Sequence, residues 1–235
     1  MAQTDEWIAL QTQIAAAAVH NTTIDISKVR RIGGLDVTFD PDTKRCIAAL
    51  SIVSFPDMKE EHTEMLEMDD AHVPEYVSGF LAFREVHVYE QLFAQCAEKN
   101  IELPDLFLVD GNGQYHAREA GVATHLGVQL GIATIGVGKK TYVAENIHEP
   151  DVRQEIPQVH GTAPVHTTSG THIATMFRSG QSKYPLFVSS GHMVSLEDSV
   201  EIVKKCCMHR IPEPIRLADK GSRARLADIK KESSA

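Results

Sequence analysis

The stretch RRIGGLDVTFDPDTKRCIAALSIVSF, Arg30–Phe55, predicts two neighbouring β-strands joined by a tight connection. Both halves are rich in apolar and β-branched residues, and DPDTK between them supplies the Pro and Asp that are typical of turns. Asp36 is the charged residue in the middle of the first strand, between Leu35 and Val37. This hairpin begins a sheet, and the segments around it indicate which kind of sheet.

The segments after the hairpin alternate between helix and strand. Residues 79–100, GFLAFREVHVYEQLFAQCAEKN, have a broad apolar face and predict a long helix. In DLFLVDGNGQYHAREAG, residues 105–121, four apolar residues at 106–109 predict a short buried strand. A helix is expected over about 118–130 and another strand in IATIGVG, residues 132–138.

The remaining third of the chain predicts three more strands and two helices. The strands are expected in QVHGTAPVHTT (158–168), THIATMFRS (171–179) and YPLFVSSGH (184–192). Ser195 with Asp198 predicts the capped start of the helix LEDSVEIVKKCCMH. A Pro-rich link, IPEPIR, is expected to lead to a final basic helix.

Hairpin strands followed by strand-helix alternation imply an α/β fold, a mixed sheet with helices on its faces. The chain has 235 residues, 43% of them hydrophobic, which is enough for one sizeable core. We therefore expect a single domain over residues 1–235. The N-terminal stretch, MAQTDEWIALQTQIAAAAV, predicts a structural helix ahead of the sheet.

The formal net charge of −9 does not by itself favour a nucleic-acid partner. Residues 57–70 hold seven acids and one base, whereas the chain from Glu201 onward holds nine bases and five acids. An acidic protein with a basic C-terminal part is compatible with phosphate binding. On charge alone, ordinary solvated faces are the simpler interpretation.

No run of about 18 apolar residues exists that could cross a membrane. The N-terminus has neither the cationic start nor the cleavage site of a secretory signal. The four cysteines lack metal-type spacing apart from the poor candidate CCMH, and they are most simply reduced thiols. We therefore expect a cytoplasmic protein without a membrane partner, with the nucleus as a second compartment. We also expect a monomer.

Three separated carboxylates are candidates for chemistry. Asp110 directly follows the predicted strand 106–109 and precedes Gly111 and Gly113, which allow a tight turn. A buried carboxylate without partners is costly, so Asp110 should lie at the strand end and be paired, protonated or bound to a metal. Taken alone, Asp36 and Glu85 would more simply lie on the solvated faces of a strand and a helix.

A mixed sheet can bring these three carboxylates together at its strand ends. Such a set is typical of the acid clusters that bind two Mg²⁺ ions for phosphodiester cleavage, because Mg²⁺ prefers oxygen ligands. Displacement at phosphorus requires charge neutralisation on both the attacking and the leaving oxygen, and paired metals provide it.

At these residues the sequence resembles the endonuclease V family. The motifs are GGLDVTFD, YVSGFLAFRE, LFLVDGNGQYHAREAGVATHLG, TIGVGKK and PEPIRLAD, in this order over about residues 30 to 225. YVSGFLAFRE is most similar to the animal branch. The resemblance implies a ribonuclease H-like fold and a Mg²⁺-dependent endonuclease, with Mn²⁺ as a substitute metal, that acts near deaminated purines, chiefly inosine.

The family further implies a cut at the second phosphodiester on the 3′ side of inosine, leaving 3′-hydroxyl and 5′-phosphate ends. Expected partners are inosine-containing RNA or DNA. The animal-type motif favours single-stranded RNA, because animal members prefer RNA, with deoxyinosine-containing DNA also cut.

Carried over residue by residue, the resemblance gives Asp36, Glu85 and Asp110 as metal-binding carboxylates. Asp219 matches a fourth metal position, at which some members have a histidine, and a helix N-cap is its simpler interpretation. Lys139, the first lysine of GVGKK, matches the catalytic lysine, with a solvated strand end as the alternative.

The resemblance also gives substrate-binding residues. His116 is expected to contact the substrate, although a lone histidine is more often structural. Tyr76 matches an aromatic wedge that fills the gap left by an extruded base, within EYVS where bacterial members have PYIP. A pocket lined by main chain, able to recognise the carbonyl oxygen and ring N–H of inosine, is matched by Gly79, Leu81, Gly111, Val122 and Gly136.

Two other functions are compatible with parts of this pattern. A non-catalytic inosine-binding module would keep the pocket but not the metal ligands, and the intact acid set argues against it. A phosphotransferase of the sugar-kinase type would keep strand-end acids and glycines, but it needs a second nucleotide-binding lobe. The chain is too short for that lobe.

Overall fold

The computed structural model describes residues 2–71, 73–148, 151, 155–156 and 158–232. These residues form one eight-stranded mixed sheet with helices on both faces. The strands are β1 (Arg31–Asp40), β2 (Arg45–Ser54), β3 (Glu60–Asp69), β4 (Leu106–Val109), β5 (Thr134–Gly138), β6 (Thr162–His166), β7 (His172–Phe177) and β8 (Leu186–His192). The helices are α1 (Ala2–Ala17), α2 (Leu81–Glu98), α3 (Val122–Leu130), α4 (Leu196–Cys206) and α5 (Glu213–Glu232).

The strand order is β3-β2-β1-β4-β5-β8-β7-β6. β1, β4 and β5 are parallel to one another, and every other neighbouring pair is antiparallel. The carboxyl ends of these three strands therefore meet at one side of the sheet, which we term the carboxyl edge. In open α/β sheets ligands collect at such an edge.

Apolar residues cover both faces of the central strands. On one face, α2 and α3 pack over a cluster that includes Leu35, Leu50 and Val109. On the other face, α4 and the start of α5 pack over a cluster that includes Ile32 and Leu108. Successive residues of β4 thus point to opposite layers, which explains why this strand is apolar throughout.

A glycine in β1 fixes the position of α5. A Cβ atom on Gly34 would lie 2.0 Å from the carbonyl carbon of Pro214, so only glycine allows the start of α5 to approach the strand this closely. The helix then runs across β1 and brings Asp219 over the carboxyl edge.

Most predicted elements are confirmed. The hairpin is β1 and β2, the long helix is α2, and the strands β4 to β8 fall where the sequence indicates. The N-terminal stretch is helix α1. At α4, the backbone N–H of Asp198 donates to Ser195 Oγ at 3.1 Å, the predicted cap.

The acidic segment at 57–70 contains an element that the sequence did not predict, the edge strand β3. Leu66 and Met68 both pack against the apolar cluster under α2, which is the alternation of a strand. The many carboxylates of the segment hide this pattern in the sequence. Basic residues of neighbouring segments pair with two of these carboxylates. Lys99 contacts Glu64 at 2.6 Å, and Arg225 contacts Glu67 at 2.9 Å.

Two predicted boundaries are wrong. The helix expected from about residue 118 begins at Val122, because residues 111–121 form a turn that carries side chains toward the carboxyl edge. The expected link IPEPIR contains the first residues of α5. Pro214 is tolerated there because the first helical N–H groups have no partner within the helix.

All four cysteines are free thiols. Among the described residues, the group that could hold a metal ion contains no cysteine, so CCMH is not part of it. None of the described helices combines the length and apolar character needed to cross a bilayer.

Candidate active site

Three aspartates converge at the carboxyl edge. Asp36 lies in β1, Asp110 directly follows β4, and Asp219 lies in the second turn of α5. One carboxylate oxygen from each lies within 4.8 Å of those of the other two. Three negative charges this close repel one another, so the cluster favours either bound protons or a bound cation.

Asp36 is only 6% exposed, which rules out the solvated strand face that its sequence context suggests. Burial, followed by the negative charge of Asp110, raises the pKa of Asp36 to about 7. The hydroxyl of Ser222, one turn after Asp219 on α5, donates to Asp36 Oδ2 at 3.0 Å and partly offsets this rise in pKa. Ser222 was not predicted from the sequence.

Glu85 lies in the second turn of α2 and is also buried, contrary to a solvated helix position. Its Oε2 has no hydrogen-bond partner among the described residues. Burial raises the pKa of Glu85 well above its usual value, and the charges of Asp110 and Asp36 raise it further. Glu85 lines the same cavity as the three aspartates, although it is not within the 4.8 Å group.

This donor set fits a hard divalent cation. It offers only carboxylate oxygens, it includes an orphaned buried oxygen on Glu85, and it carries more negative charge than its immediate cations balance. Mg²⁺ and Mn²⁺ accept such ligands. Asp36, Asp110, Asp219 and Glu85 are therefore the residues that would hold the metal.

Two cations flank the cluster. The Lys139 ammonium, directly after β5, contacts Asp110 Oδ2, and Arg223 Nε on α5 donates to Asp219 Oδ1 at 2.8 Å. Both side chains line the acidic cavity. Lys139 is thus placed at a strand end as predicted, but it is engaged with a carboxylate and is not simply solvated.

A second cavity of about 530 Å³ adjoins the first and shares Asp110 and Lys139 with it. Six of the seven predicted substrate-binding residues line this cavity, which we term the base pocket: Tyr76, Gly79, Leu81, Gly111, His116 and Val122. Gly136 does not line it. A Cβ there would meet Gly113 N at 2.2 Å, so Gly136 lies beneath the turn and packs against its backbone.

Gly111 lies in close contact with Val122 in the wall of the base pocket. A Cβ at this position would lie 2.3 Å from Val122 Cγ1, at the start of α3. Any other residue would displace Val122, which also lines the pocket. One turn thus carries both a carboxylate, Asp110, and an open backbone surface, Gly111.

The carbonyl of Gly79 is held by three side chains. It accepts hydrogen bonds from Gln11 Nε2 at 3.1 Å, His116 Nε2 at 3.0 Å and Arg118 Nη2 at 2.9 Å. Gly79 has a φ of +80°, a conformation that glycine adopts readily. These contacts fix the backbone wall of the base pocket.

His116 is therefore mainly a support of this wall. Burial and the neighbouring charge of Arg118 lower the pKa of His116 to about 4, so the ring is neutral near pH 7. Its Nε2–H donates to Gly79, and its Nδ1 accepts from the backbone N–H of Arg118 at 3.2 Å. Both ring nitrogens are occupied, and a substrate can meet only the ring surface.

Gln11 was missed by sequence reasoning. It lies in α1, is 1% exposed, and also donates to the Ala120 carbonyl at 3.4 Å. A single glutamine in a weakly amphipathic helix carries no local signal of such a role. Its partners are 68 and 109 residues away along the chain.

Aromatic side chains stand at the mouth of the base pocket. Tyr76 is 62% exposed and lies on the segment before α2. Tyr142 also lines the pocket, with its ring centroid 5.1 Å from that of His116. An exposed tyrosine beside a pocket can stack on a nucleobase.

Comparison with known proteins gives a consistent result. The sequence model of the family described as Endonuclease V matches residues 12–220. Human endonuclease V is 41% identical over 204 residues, which covers 84% of this chain and 72% of the human protein. The crystal structure of the human catalytic domain superposes with a TM-score of 0.89 at 35% identity, covering 97% and 98% of the two chains.

Endonuclease V of Ciona intestinalis, solved with a 23mer DNA containing an inosine followed by a ribo-adenosine, gives a TM-score of 0.88 at 30% identity and covers 97% and 98% of the two chains. The mixed sheet is thus the predicted ribonuclease H-like fold. The chain belongs to the endonuclease V family, whose members are nucleases that hydrolyse phosphodiester bonds.

Proposed function

We propose that the protein cleaves inosine-containing strands at the second phosphodiester on the 3′ side of inosine, leaving 3′-hydroxyl and 5′-phosphate ends. The observation that carries this proposal is the union of the two cavities through Asp110 and Lys139. A base held in the pocket places the neighbouring phosphates of the same strand over the acid cluster. The Ciona intestinalis relative solved with inosine-containing DNA supports inosine as the recognised base.

Base recognition is assigned to the backbone. Inosine differs from adenosine by a carbonyl oxygen and a ring N–H in place of an amino group, so a close-fitting main chain can donate to the oxygen and accept from the N–H. Gly111 allows the approach because it has no side chain. The wall at Gly79 is held rigid by Gln11, His116 and Arg118.

The acid cluster is assigned to Mg²⁺, with Mn²⁺ as a substitute. When bound, the metal supplies charge neutralisation at the phosphate and lowers the pKa of water. Asp36, Glu85, Asp110 and Asp219 would hold the metal. The Lys139 ammonium lies beside Asp110, where it can contact a non-bridging phosphate oxygen and stabilise negative charge that develops during cleavage.

Tyr76 is assigned to the wedge at the pocket mouth, where its exposed ring fills the gap that the extruded base leaves in the strand and stacks on the bases beside it. A single strand avoids the unpairing cost that a duplex imposes on base flipping. We propose single-stranded RNA as the better substrate, as the animal-type YVSGFLAFRE motif indicates, with deoxyinosine-containing DNA also cut.

The test uses three otherwise identical single strands, carrying inosine in RNA, deoxyinosine in DNA, or deoxyinosine in DNA with one ribose at the 3′ neighbour. Each is incubated with Mg²⁺ or with EDTA, and the ends are mapped. We expect Mg²⁺-dependent cuts at the second phosphodiester, fastest on RNA. The DNA strand with a single ribose should be cut much faster than the all-DNA strand. Equal rates on RNA and DNA would reject the RNA preference.

A matched strand with adenosine in place of inosine is the control for base recognition. Equal cutting of both strands would reject inosine specificity. Tight inosine binding without any Mg²⁺-dependent cut would instead identify a non-catalytic binding module.

A further inference from the structure

A third cavity, of about 330 Å³, adjoins the active site on the side of β8. It lies between the segments Lys139–Thr141, after β5, and Lys183–Phe187, at the start of β8. These segments are neighbours because Gly138 pairs with Phe187 in the antiparallel β5–β8 ladder. The cavity therefore continues the carboxyl edge beyond Lys139.

The described lining of this cavity is cationic and aromatic and contains no acidic residue. Lys140 and Lys183 are exposed, and neither forms an ion pair within the described part of the chain. Tyr184 is 60% exposed, and Lys183 Nζ lies 5.2 Å from the centroid of its ring. The chain as a whole is acidic, with a net charge of −9. These two lysines and the exposed aromatic ring make this cavity locally cationic, which suits an anionic ligand that also carries a flat group.

The walls of the cavity are held at a fixed separation. The Arg210 guanidinium donates to the carbonyl of Lys139 at 3.2 Å through Nη2 and to the carbonyl of Tyr184 at 3.1 Å through Nε. Ser179 Oγ in turn donates to the Arg210 carbonyl at 2.6 Å. Arg210 is thus a positioning residue that ties the segment of the catalytic lysine to the segment of the exposed tyrosine.

We propose that this cavity binds one further nucleotide of the substrate strand, outside the segment from inosine to the cut. The nucleobase stacks on Tyr184, and the adjoining phosphate is neutralised by Lys140 and Lys183. This inference rests on the proposed function, because the strand reaches the cavity only if its scissile phosphate lies at Asp110 and Lys139. The aromatic ring makes contact without base discrimination, since every base has a π-face.

The experiment measures binding of fluorescent single strands in EDTA, so that the strand stays intact. One strand carries long flanks on both sides of inosine, and two others have either the 5′ or the 3′ flank removed. The variants are Tyr184→Ala, Tyr184→Phe and Lys183→Ala. Lys59→Ala is the matched control, an exposed lysine between β2 and β3 at the opposite side of the sheet.

On the long strand, Tyr184→Ala is expected to weaken binding roughly tenfold, within the range of one base–aromatic stack, and Tyr184→Phe should restore most of it. Lys183→Ala is expected to reduce the slope of log affinity against log salt by about 0.7, the value for one phosphate contact on a single strand. Removing one of the two flanks should shrink the Tyr184→Ala effect, which identifies the side of the strand that reaches the cavity.

The proposal is overturned if Tyr184→Ala and Lys183→Ala bind the long strand as tightly as Lys59→Ala does. It is also overturned if their losses are equal on all three strands, because a local disturbance of the active site would not depend on flank length. Neither result touches the proposed function, provided that the parent binds and cuts inosine strands in preference to adenosine strands. If the parent shows no preference for inosine over adenosine strands, both proposals fall.

Discussion

Asp36 and Asp110 lie side by side on neighbouring parallel strands, one residue beyond the paired positions Leu35 and Val109. The backbone N–H of Asp110 donates to the Leu35 carbonyl at 3.0 Å, which continues the β1–β4 pairing to the aspartates themselves. The sheet thus fixes the spacing of the two backbones and places the two carboxylates within interaction distance of one another. A cation is the partner that this fixed repulsion favours.

Asp110→Ala or Asp36→Ala should abolish cleavage while largely preserving binding of inosine strands. Charge neutralisation at the phosphate depends on the acid cluster, whereas affinity comes from the base pocket and phosphate contacts. We expect at least about a hundredfold lower cleavage rate, the size of losing one preorganised electrostatic partner. Single-turnover assays at saturating Mg²⁺ measure it, with the exposed Asp228→Ala as control. Near-normal turnover in either variant would contradict the metal assignment.

Glu85→Gln should stabilise the metal-free protein and remove its activity. The substitution keeps the shape of the buried side chain and removes a carboxyl group that has an unpartnered oxygen and whose pKa is raised by burial and by two nearby aspartates. Each kcal/mol gained would raise the melting temperature by roughly 2–4 °C for a chain of this size. Thermal unfolding in EDTA tests this. With Mg²⁺ in excess the parent should have the higher melting temperature, because only the parent gains the full metal-binding energy. A variant that remains more stable than the parent would count against Glu85 as a ligand.

Deprotonation of Asp36 should lower the stability of the metal-free protein as the pH rises from about 4 to about 7. The pKa of this carboxyl is raised from 3.8 to about 7 in the folded state, so the folded chain binds more protons than the unfolded chain within that window. Metal binding requires the deprotonated form, so Mg²⁺ affinity should rise over the same range and release protons. Calorimetric titration in two buffers of different ionisation enthalpy measures the release. Asp36→Asn should remove this proton release, and an unaltered release would assign it elsewhere.

Tyr76→Ala should weaken binding and cleavage by roughly 1–3 kcal/mol, the range for one base–aromatic stack. Its ring is 62% exposed at the mouth of the base pocket, so the loss cannot come from a collapsed core. Tyr76→Phe should be mild because the ring remains. Electrophoretic or anisotropy titrations with inosine strands compare the three proteins. If both variants bind like the parent, the wedge assignment is wrong.

Gly111→Ala should reduce affinity for inosine strands by displacing Val122, whose Cγ1 would lie 2.3 Å from the new Cβ. Val122→Ala in the same chain removes that methyl group and should recover part of the binding. A double-mutant cycle on binding to inosine strands measures the coupling between the two sites. Additive effects of the two substitutions would show that the clash does not shape the pocket.

Much of the site was predictable because its chemistry coincides with strand ends. Asp110 after an apolar run and Lys139 after TIGVG both stand where a chain leaves a sheet, and the family motifs supplied Glu85 and Asp219. The burial of Asp36 and Glu85 could not be predicted from local patterns. It depends on α5 crossing β1 and on α2 packing over the opposite face.

Other features were missed because their cause lies far away along the chain. The acidic residues of β3 suggest a solvated segment and not a strand. Their partners Lys99 and Arg225, which pair with Glu64 and Glu67, are distant in sequence and give no local signal. Gln11 acquires its role through the carbonyls of Gly79 and Ala120 and through the Arg118 guanidinium, which donates to its Oε1.

The contact between Gln11 and the Gly79 carbonyl also has a consequence for the kinetics of folding. Gln11 meets its carbonyl partners across 68 and 109 residues of chain. The acid cluster joins Asp36 in β1 to Asp219 in α5 across a still longer stretch. Contacts between residues this far apart form slowly, because the intervening chain loses the entropy of a large closed loop before the contact stabilises it. Both halves of the site therefore depend on long-range contacts and cannot form from a single local element.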